Sequence, residues 1–125
     1  MAVSFKDIIV TENEIMSLEH QTSWDKVVAQ ISKDLLWGEI PFVWKSSVEL
    51  AYKEMYELLN GWVIHFMEKD PEVLAQGLYR VDVPEIAIAK AEMVYPEMMP
   101  SEIMAHGILR RCIQKILLRQ RYSQK

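Results

Sequence analysis

The sequence has few of the residues that small proteins use for cross-links, phosphate loops and metal sites. It contains one cysteine, Cys112, four scattered glycines and three histidines, His20, His65 and His106. A lone cysteine excludes an intramolecular disulfide and is typical of a reducing compartment. Scattered glycines exclude a glycine-rich phosphate loop. No histidine belongs to a Glu-x-x-His or His-x-x-x-His pair, so neither a metal nor another cofactor is predicted.

Long apolar runs are also missing. The longest candidate, residues 58–67, is interrupted by Asn60, Gly61 and His65, and it is shorter than the roughly 20 residues that span a bilayer. The opening residues, Met-Ala-Val-Ser-Phe-Lys-Asp, lack the apolar core of a secretory signal. We therefore expect a cytoplasmic protein that does not enter a membrane.

The charge is distributed unevenly along the chain. Six of the 14 basic residues and none of the 18 acidic residues lie in residues 110–125. The first 109 residues therefore carry eight basic against 18 acidic residues, a formal charge of −10, although the whole chain carries −4. Such asymmetry marks either a nucleic-acid tail or a basic helix that packs on an acidic body.

Hydrophobic periodicity predicts helices. Hydrophobic residues make up 50% of the chain and charged residues 26%, which is ordinary globular composition for one domain. Between Ser47 and Lys69 apolar residues recur every three or four positions, which predicts a long amphipathic helix with Ser46 or Ser47 as its N-cap.

Start and stop signals divide the rest of the chain into further helices. A capping box is predicted at Thr22–Asp25 and a stop at Gly38, and further helix starts are predicted at Thr11–Glu14, Asp70–Glu72, Val83–Glu85 and Pro100–Glu102. The prediction is an all-α protein: one domain, residues 1–125, forming a compact bundle of five or six helices. We expect the long helix and the C-terminal helix to lie at its centre.

The C-terminal half carries a recognisable pattern. Residues 78–85, LYRVDVPE, precede residues 108–116, ILRRCIQKI, and then Arg119. This arrangement resembles a group of small bacterial helical proteins with an LYRIDV-x-E stretch and a final Q-K-x-x-x-R element. The resemblance covers roughly the last 50 residues and transfers no activity. It implies that Arg80, Asp82, Gln114, Lys115 and Arg119 belong to one structural pattern.

Arg80 and Asp82 have two interpretations. The structural one is an ion pair that fixes how a short helix meets the last helix, and we favour it. The functional one is an anion pocket near Arg80, which would make the protein a small enzyme or a ligand carrier. No catalytic residue is predicted.

The C-terminal helix contains the best candidate for nucleic-acid contact. Arg111, Lys115 and Arg119 recur every fourth residue and would form a line along the helix that suits phosphates. Basic residues near a helix C-terminus also offset the helix dipole without any partner. The acidic body would repel a polyanion, so paired or solvated charge is favoured. Cys112, on the apolar arc of the same helix, is predicted to be a buried, unreactive thiol.

Aromatic and methionine side chains between the helices are candidates for a protein interface. They are Trp37, Phe42, Trp44, Met98 and Met99. The alternative is that they fold back and close the ends of the bundle. Our first functional hypothesis is a non-catalytic interaction or assembly module that forms a homodimer or binds another protein. Nucleic-acid binding comes second, and a small enzyme or ligand carrier third.

Overall fold

The computed structural model describes residues 11–123, which form six α-helices and no strand. The all-α bundle of five or six helices is thereby confirmed. The helices are α1 (Glu12–Met16), α2 (Gln21–Leu35), α3 (Val48–Lys69), α4 (Pro71–Val81), α5 (Glu85–Val94) and α6 (Pro100–Ser123).

Local sequence sets most helix starts. Ser47 caps α3 by accepting a hydrogen bond from a backbone N–H of the first turn, and the Asp70 side chain does the same for α4, where Pro71 occupies the first position. Thr11 and Glu14 form a reciprocal capping box on α1. Each cap satisfies N–H groups that have no partner within the helix.

Helix α2 differs from its prediction at both ends. It begins at Gln21 after His20, with no side-chain cap, so the capping box expected at Thr22 is wrong. The Trp24 indole donates a 2.8 Å hydrogen bond to the Leu18 carbonyl, which holds the incoming chain across the first turn. At the other end α2 stops at Leu35, before the expected stop at Gly38.

The left-handed residue that ends α2 is Leu36, with φ 58°. The following Trp37 packs against Trp62 and Phe66 of α3. It also covers Gly77 of α4, where a Cβ atom would lie only 2.4 Å from the indole ring. The chain therefore leaves the helix early because the Trp37 side chain fills the space beside α3 and α4.

Helix α6 runs antiparallel to α3. Tyr52 contacts Arg110, and Tyr56, one turn later on α3, contacts Glu102, which is earlier on α6. Helix α6 also packs on α2, α4 and α5. It therefore lies at the centre of the bundle, as predicted.

Helix α2 is likewise antiparallel to α6, because Asp34 bonds Lys115 whereas the earlier Lys26 shares a groove with Arg119. Helices α2 and α3 are therefore parallel, and residues 36–47 must return along the bundle to connect them. Trp37 packs on Phe66, near the end of α3, whereas Phe42 stacks on Trp24, near the start of α2. This return segment covers part of the core.

The core draws side chains from all six helices. Its largest fully buried members are Trp24, Leu18, Ile31, Leu35, Met55, Leu59, Ile103, Ile108, Leu109 and Ile113. Neither of the long helices, nor any other in the described part of the chain, has the length and hydropathy of a membrane-spanning segment.

Candidate functional site

A cluster of polar side chains joins α3 to α6. Its members are Tyr52, Tyr56, Glu102, His106 and Arg110, which we call the Tyr–His cluster. Tyr52 and Tyr56 are one turn apart on α3. The other three are spaced four residues apart on α6, so each set lies along one face of its helix.

Arg110, Tyr52 and His106 form a chain of hydrogen bonds in which each group donates to the next. Burial, followed by the nearby Arg110 charge, lowers the pKa of His106 to about 4. A neutral His106 accepts at Nδ1 from the Tyr52 hydroxyl, 2.7 Å away. That hydroxyl in turn accepts the Arg110 Nε–H at 3.0 Å, and Arg110 also pairs with Glu12 of α1. The relay ties three helices together.

The second half of the cluster is anchored by a carboxylate. The Tyr56 ring stacks on His106 with 4.1 Å between ring centroids, and its hydroxyl donates to Glu102 at 3.3 Å. Burial, followed by the Glu102 charge, raises the pKa of Tyr56 to about 12. Glu102 is itself held by the Met99 backbone N–H at 2.7 Å. Because these groups hold one another in place, the cluster fixes how α3 packs against α6.

The predicted cationic line on α6 divides into three environments. Arg111 donates to Asp82 at 3.0 Å and to Gln114 at 2.6 Å. Lys115 donates to Asp34 at 2.8 Å. Arg119 is exposed. Two of the three cations are therefore paired with carboxylates from neighbouring parts of the bundle.

The ion pair at the end of α4 involves Asp82 but not Arg80. Asp82 follows α4 in a left-handed conformation, φ 71°, and its carboxylate meets Arg111 of α6. Arg80 is exposed and forms no ion pair with any described residue. The predicted Arg80–Asp82 pair is therefore corrected to Arg111–Asp82. Residues two apart in a helical turn do not face each other.

The aromatic residues proposed for an interface lie in the return segment and are half-buried. Trp37, Phe42 and Trp44 all pack against the core. Met98 is also half-buried, whereas Met99 is 63% exposed. The exposed Met99 is close in sequence to α5, which also carries exposed apolar side chains.

Helix α5 is apolar on most of its circumference but is covered on one side. Ala87, Ile88 and Ala91 are buried, whereas Ile86 is 61% exposed and Met93 82% exposed. Ile86, Ala89 and Met93 are spaced by three and four residues and therefore share one face. We call these three residues the α5 face.

A groove of about 390 Å³ lies between α2 and α6. Lys26 and Lys33 of α2 and Arg119 of α6 line it, together with Gln30 and Ile116. We call it the cationic groove. None of its three cations takes part in an ion pair with residues that the structure describes.

Cys112 is fully buried and lies next to Asp34. Burial, followed by the Asp34 carboxylate, raises the pKa of its thiol to about 12. A thiolate is the nucleophilic form of cysteine. The thiol is therefore held in its unreactive form at neutral pH.

Metal-binding groups are dispersed. Within residues 11–123, no three His, Cys, Asp or Glu side chains come together as the ligands of a metal ion would. The comparisons with known proteins add no assignment: neither a family model, nor a curated protein, nor a solved structure matches this chain.

Sequence reasoning missed the Tyr–His cluster, the α5 face and the cationic groove. The four-residue spacing of Glu102, His106 and Arg110 was a usable signal for the first. The three- and four-residue spacing of Lys26, Gln30 and Lys33 was a signal for the third. Neither spacing pattern indicates which helix packs against these residues.

Proposed function

We propose that the protein is a non-catalytic interaction module and that its α5 face binds an amphipathic helix of another protein. One observation carries this proposal: an apolar helix packs through one side and leaves Ile86 and Met93 exposed. Single exposed apolar residues are normal, whereas a row of them along one helix is typical of a docking surface.

Charge at the border of the face favours a basic partner. Glu85 and Glu92 are exposed on α5, and Glu97 is exposed just beyond it. The one basic residue of the helix, Lys90, is half-buried. A helix with apolar residues three or four apart and Lys or Arg at its edges would complement this surface.

The same charges argue against pairing of two α5 faces. Two copies would bring their acidic borders together, which costs free energy. Another protein is therefore preferred to a homodimer. Cys112 is the only cysteine, and this suits a partner met in a reducing compartment such as the cytoplasm.

Site-specific cross-linking in cells tests the proposal. A photoreactive phenylalanine analogue replaces Ala89, and in a control it replaces the exposed Val43 in the return segment. We expect a cross-linked product at position 89 that is absent at position 43. Mapping of the cross-link should place it in a basic, amphipathic helical segment.

The mapped segment is then synthesised, and its affinity is measured by calorimetry. We expect Ile86→Ser and Met93→Ser each to weaken binding about thirtyfold, the lower limit for an interface hot spot. Val43→Ser should leave the affinity unchanged. Glu85→Gln combined with Glu92→Gln should reduce the sensitivity of binding to salt.

Three results would contradict the proposal. The first is equal cross-linking at positions 89 and 43. The second is a cross-link to a second copy together with a dimer in light scattering. The third is a peptide whose affinity is unaffected by Ile86→Ser and Met93→Ser.

A further inference from the structure

The cationic groove combines positive charge with an acceptor that lacks a partner. Lys26, Lys33 and Arg119 contribute three exposed cations, and no carboxylate of residues 11–123 lines the groove. Asp34, which is bonded to Gln30 of the groove, is held by Lys115 at 2.8 Å. The cations are therefore available to an external anion.

Gln30 supplies the acceptor. It is 4% exposed although it borders the groove. Its Nε2 donates to Asp34 at 2.8 Å, whereas its Oε1 is buried and has no hydrogen-bond partner among the residues that the structure describes. Rotation of the amide would turn Oε1 toward the Asp34 carboxylate, so the Asp34 bond fixes the orientation. A buried acceptor of this kind is unfavourable until a donor reaches it.

We propose that the cationic groove binds a small phosphorylated molecule that also carries a hydroxyl or amino group. The phosphate would be held by Lys33 and Arg119, with Lys26 adding charge, since guanidinium and ammonium groups form charge-assisted hydrogen bonds to phosphate oxygens. The hydroxyl or amino hydrogen would be donated to Gln30 Oε1.

The dimensions of the groove fit such a ligand. Its volume of about 390 Å³ is within the range of small-molecule sites, roughly 300–1,000 Å³. Ala29 and Ile116 provide apolar surface beside the charges. A nucleic acid is disfavoured because Arg111 and Lys115, which would extend the cationic track along α6, already pair with Asp82 and Asp34.

Calorimetric titration with four probes tests the proposal. They are inorganic phosphate, glucose 6-phosphate, adenosine monophosphate and a single-stranded RNA oligomer. We expect glucose 6-phosphate or adenosine monophosphate to bind more tightly than inorganic phosphate, and each ligand to raise the melting temperature because it binds the folded state.

Variants separate the two halves of the site. Lys33→Ala and Arg119→Ala should each weaken binding of every small phosphate about tenfold, the usual effect of losing a charge-assisted hydrogen bond. The control Lys53→Ala, on the exposed side of α3, should change affinity less than about twofold because it leaves those bonds intact. Gln30→Met, similar in shape, should abolish the preference for the hydroxylated phosphate. Circular dichroism verifies that each variant folds.

Several outcomes would overturn this assignment. No heat and no thermal shift with any small phosphate at millimolar concentration would do so. If Lys33→Ala and Lys53→Ala weakened phosphate binding equally, the binding would reflect diffuse electrostatic attraction and not a specific site. Binding of the RNA oligomer, but of no small phosphate, would indicate that the groove recognises nucleic acid instead. If Gln30→Met does not fold, the comparison of Lys33→Ala and Arg119→Ala with Lys53→Ala still decides whether the groove binds phosphate.

Discussion

The Tyr52 hydroxyl lies 2.7 Å from Nδ1 of His106, although the two residues are 54 positions apart in the chain. Because Arg110 donates to the same hydroxyl, the Tyr52 proton is directed toward the imidazole. His106 is therefore an acceptor, and a proton added at Nδ1 would break one of the hydrogen bonds that join α3 to α6.

Acid should destabilise the fold through His106. The unfolded histidine takes up a proton near its ordinary pKa of 6.5, whereas the folded one does so only near pH 4. The free energy of unfolding should therefore fall as the pH drops from 6.5 toward 4. The slope for one such group is at most about 1.4 kcal/mol per pH unit, and solvent screening of this half-buried side chain reduces it.

Urea titrations at several pH values measure this effect. His106→Gln, which keeps an acceptor for Tyr52, should show a shallower loss of stability in that window. His65→Gln retains His106 and should follow the wild type. Parallel curves for the His106 variant and the wild type would refute the interpretation.

Substitution of two helical glycines by alanine should change the stability of the protein in opposite directions. A Cβ at Gly77 would lie 2.4 Å from the Trp37 ring, whereas a Cβ at Gly61 would meet nothing within 4 Å in the described part of the chain. Gly77→Ala should destabilise the protein by about 1–3 kcal/mol through overpacking. Gly61→Ala should stabilise it by about 0.5–1 kcal/mol through helix propensity. Thermal melting of both variants gives the comparison, and stabilisation by Gly77→Ala would be incompatible with the packing described.

Removal of Asp34 should cost more than removal of an exposed carboxylate. Asp34 is bonded by Lys115 and by Gln30, and the Asp34 and Lys115 side chains are only 12% and 20% exposed. Asp34→Ala should lower stability by about 2–3 kcal/mol, because it leaves both donors without their acceptor. Glu54→Ala breaks the more exposed pair with Lys45 and should cost no more than about 1 kcal/mol. Chemical denaturation measures both, and equal costs would argue against the buried network.

Cys112 should react with thiol reagents only when the protein opens. Its side chain is fully buried and its pKa is raised to about 12. Labelling with iodoacetamide should be slower than in urea by roughly a thousandfold or more, since it depends on the small unfolded population. Mass spectrometry follows the reaction, and rapid labelling of the folded protein would show that the C-terminal helix opens locally.

Helix positions were predictable because their signals are local. Ser47, Asp70 and Pro71 act within a single turn, so the sequence indicates where α3 and α4 begin. The start and end of α2 depend instead on how the chain folds outside the helix. Trp24 bonds the Leu18 carbonyl, six residues earlier, and Trp37 fills the space over Gly77 of α4. Neither contact follows from a capping signal at the helix end.

The candidate sites were harder to predict because each is shared between helices. Arg119 was singled out as a cation, but Lys26, Lys33 and Gln30 join it only through the pairing of α2 with α6. Similarly, Tyr52 and Tyr56 meet His106 only because α3 runs antiparallel to α6. Spacing places residues on a face, whereas topology decides what the face meets.

The position of α6 has a consequence for biosynthesis. Helices α2, α3, α4 and α5 all pack on Pro100–Ser123, which the ribosome produces after them. Until that segment has emerged, their apolar faces lack part of the surface that buries them, and the nascent chain remains open to aggregation and to chaperones. Acquisition of the native core is therefore delayed until translation has passed the final helix.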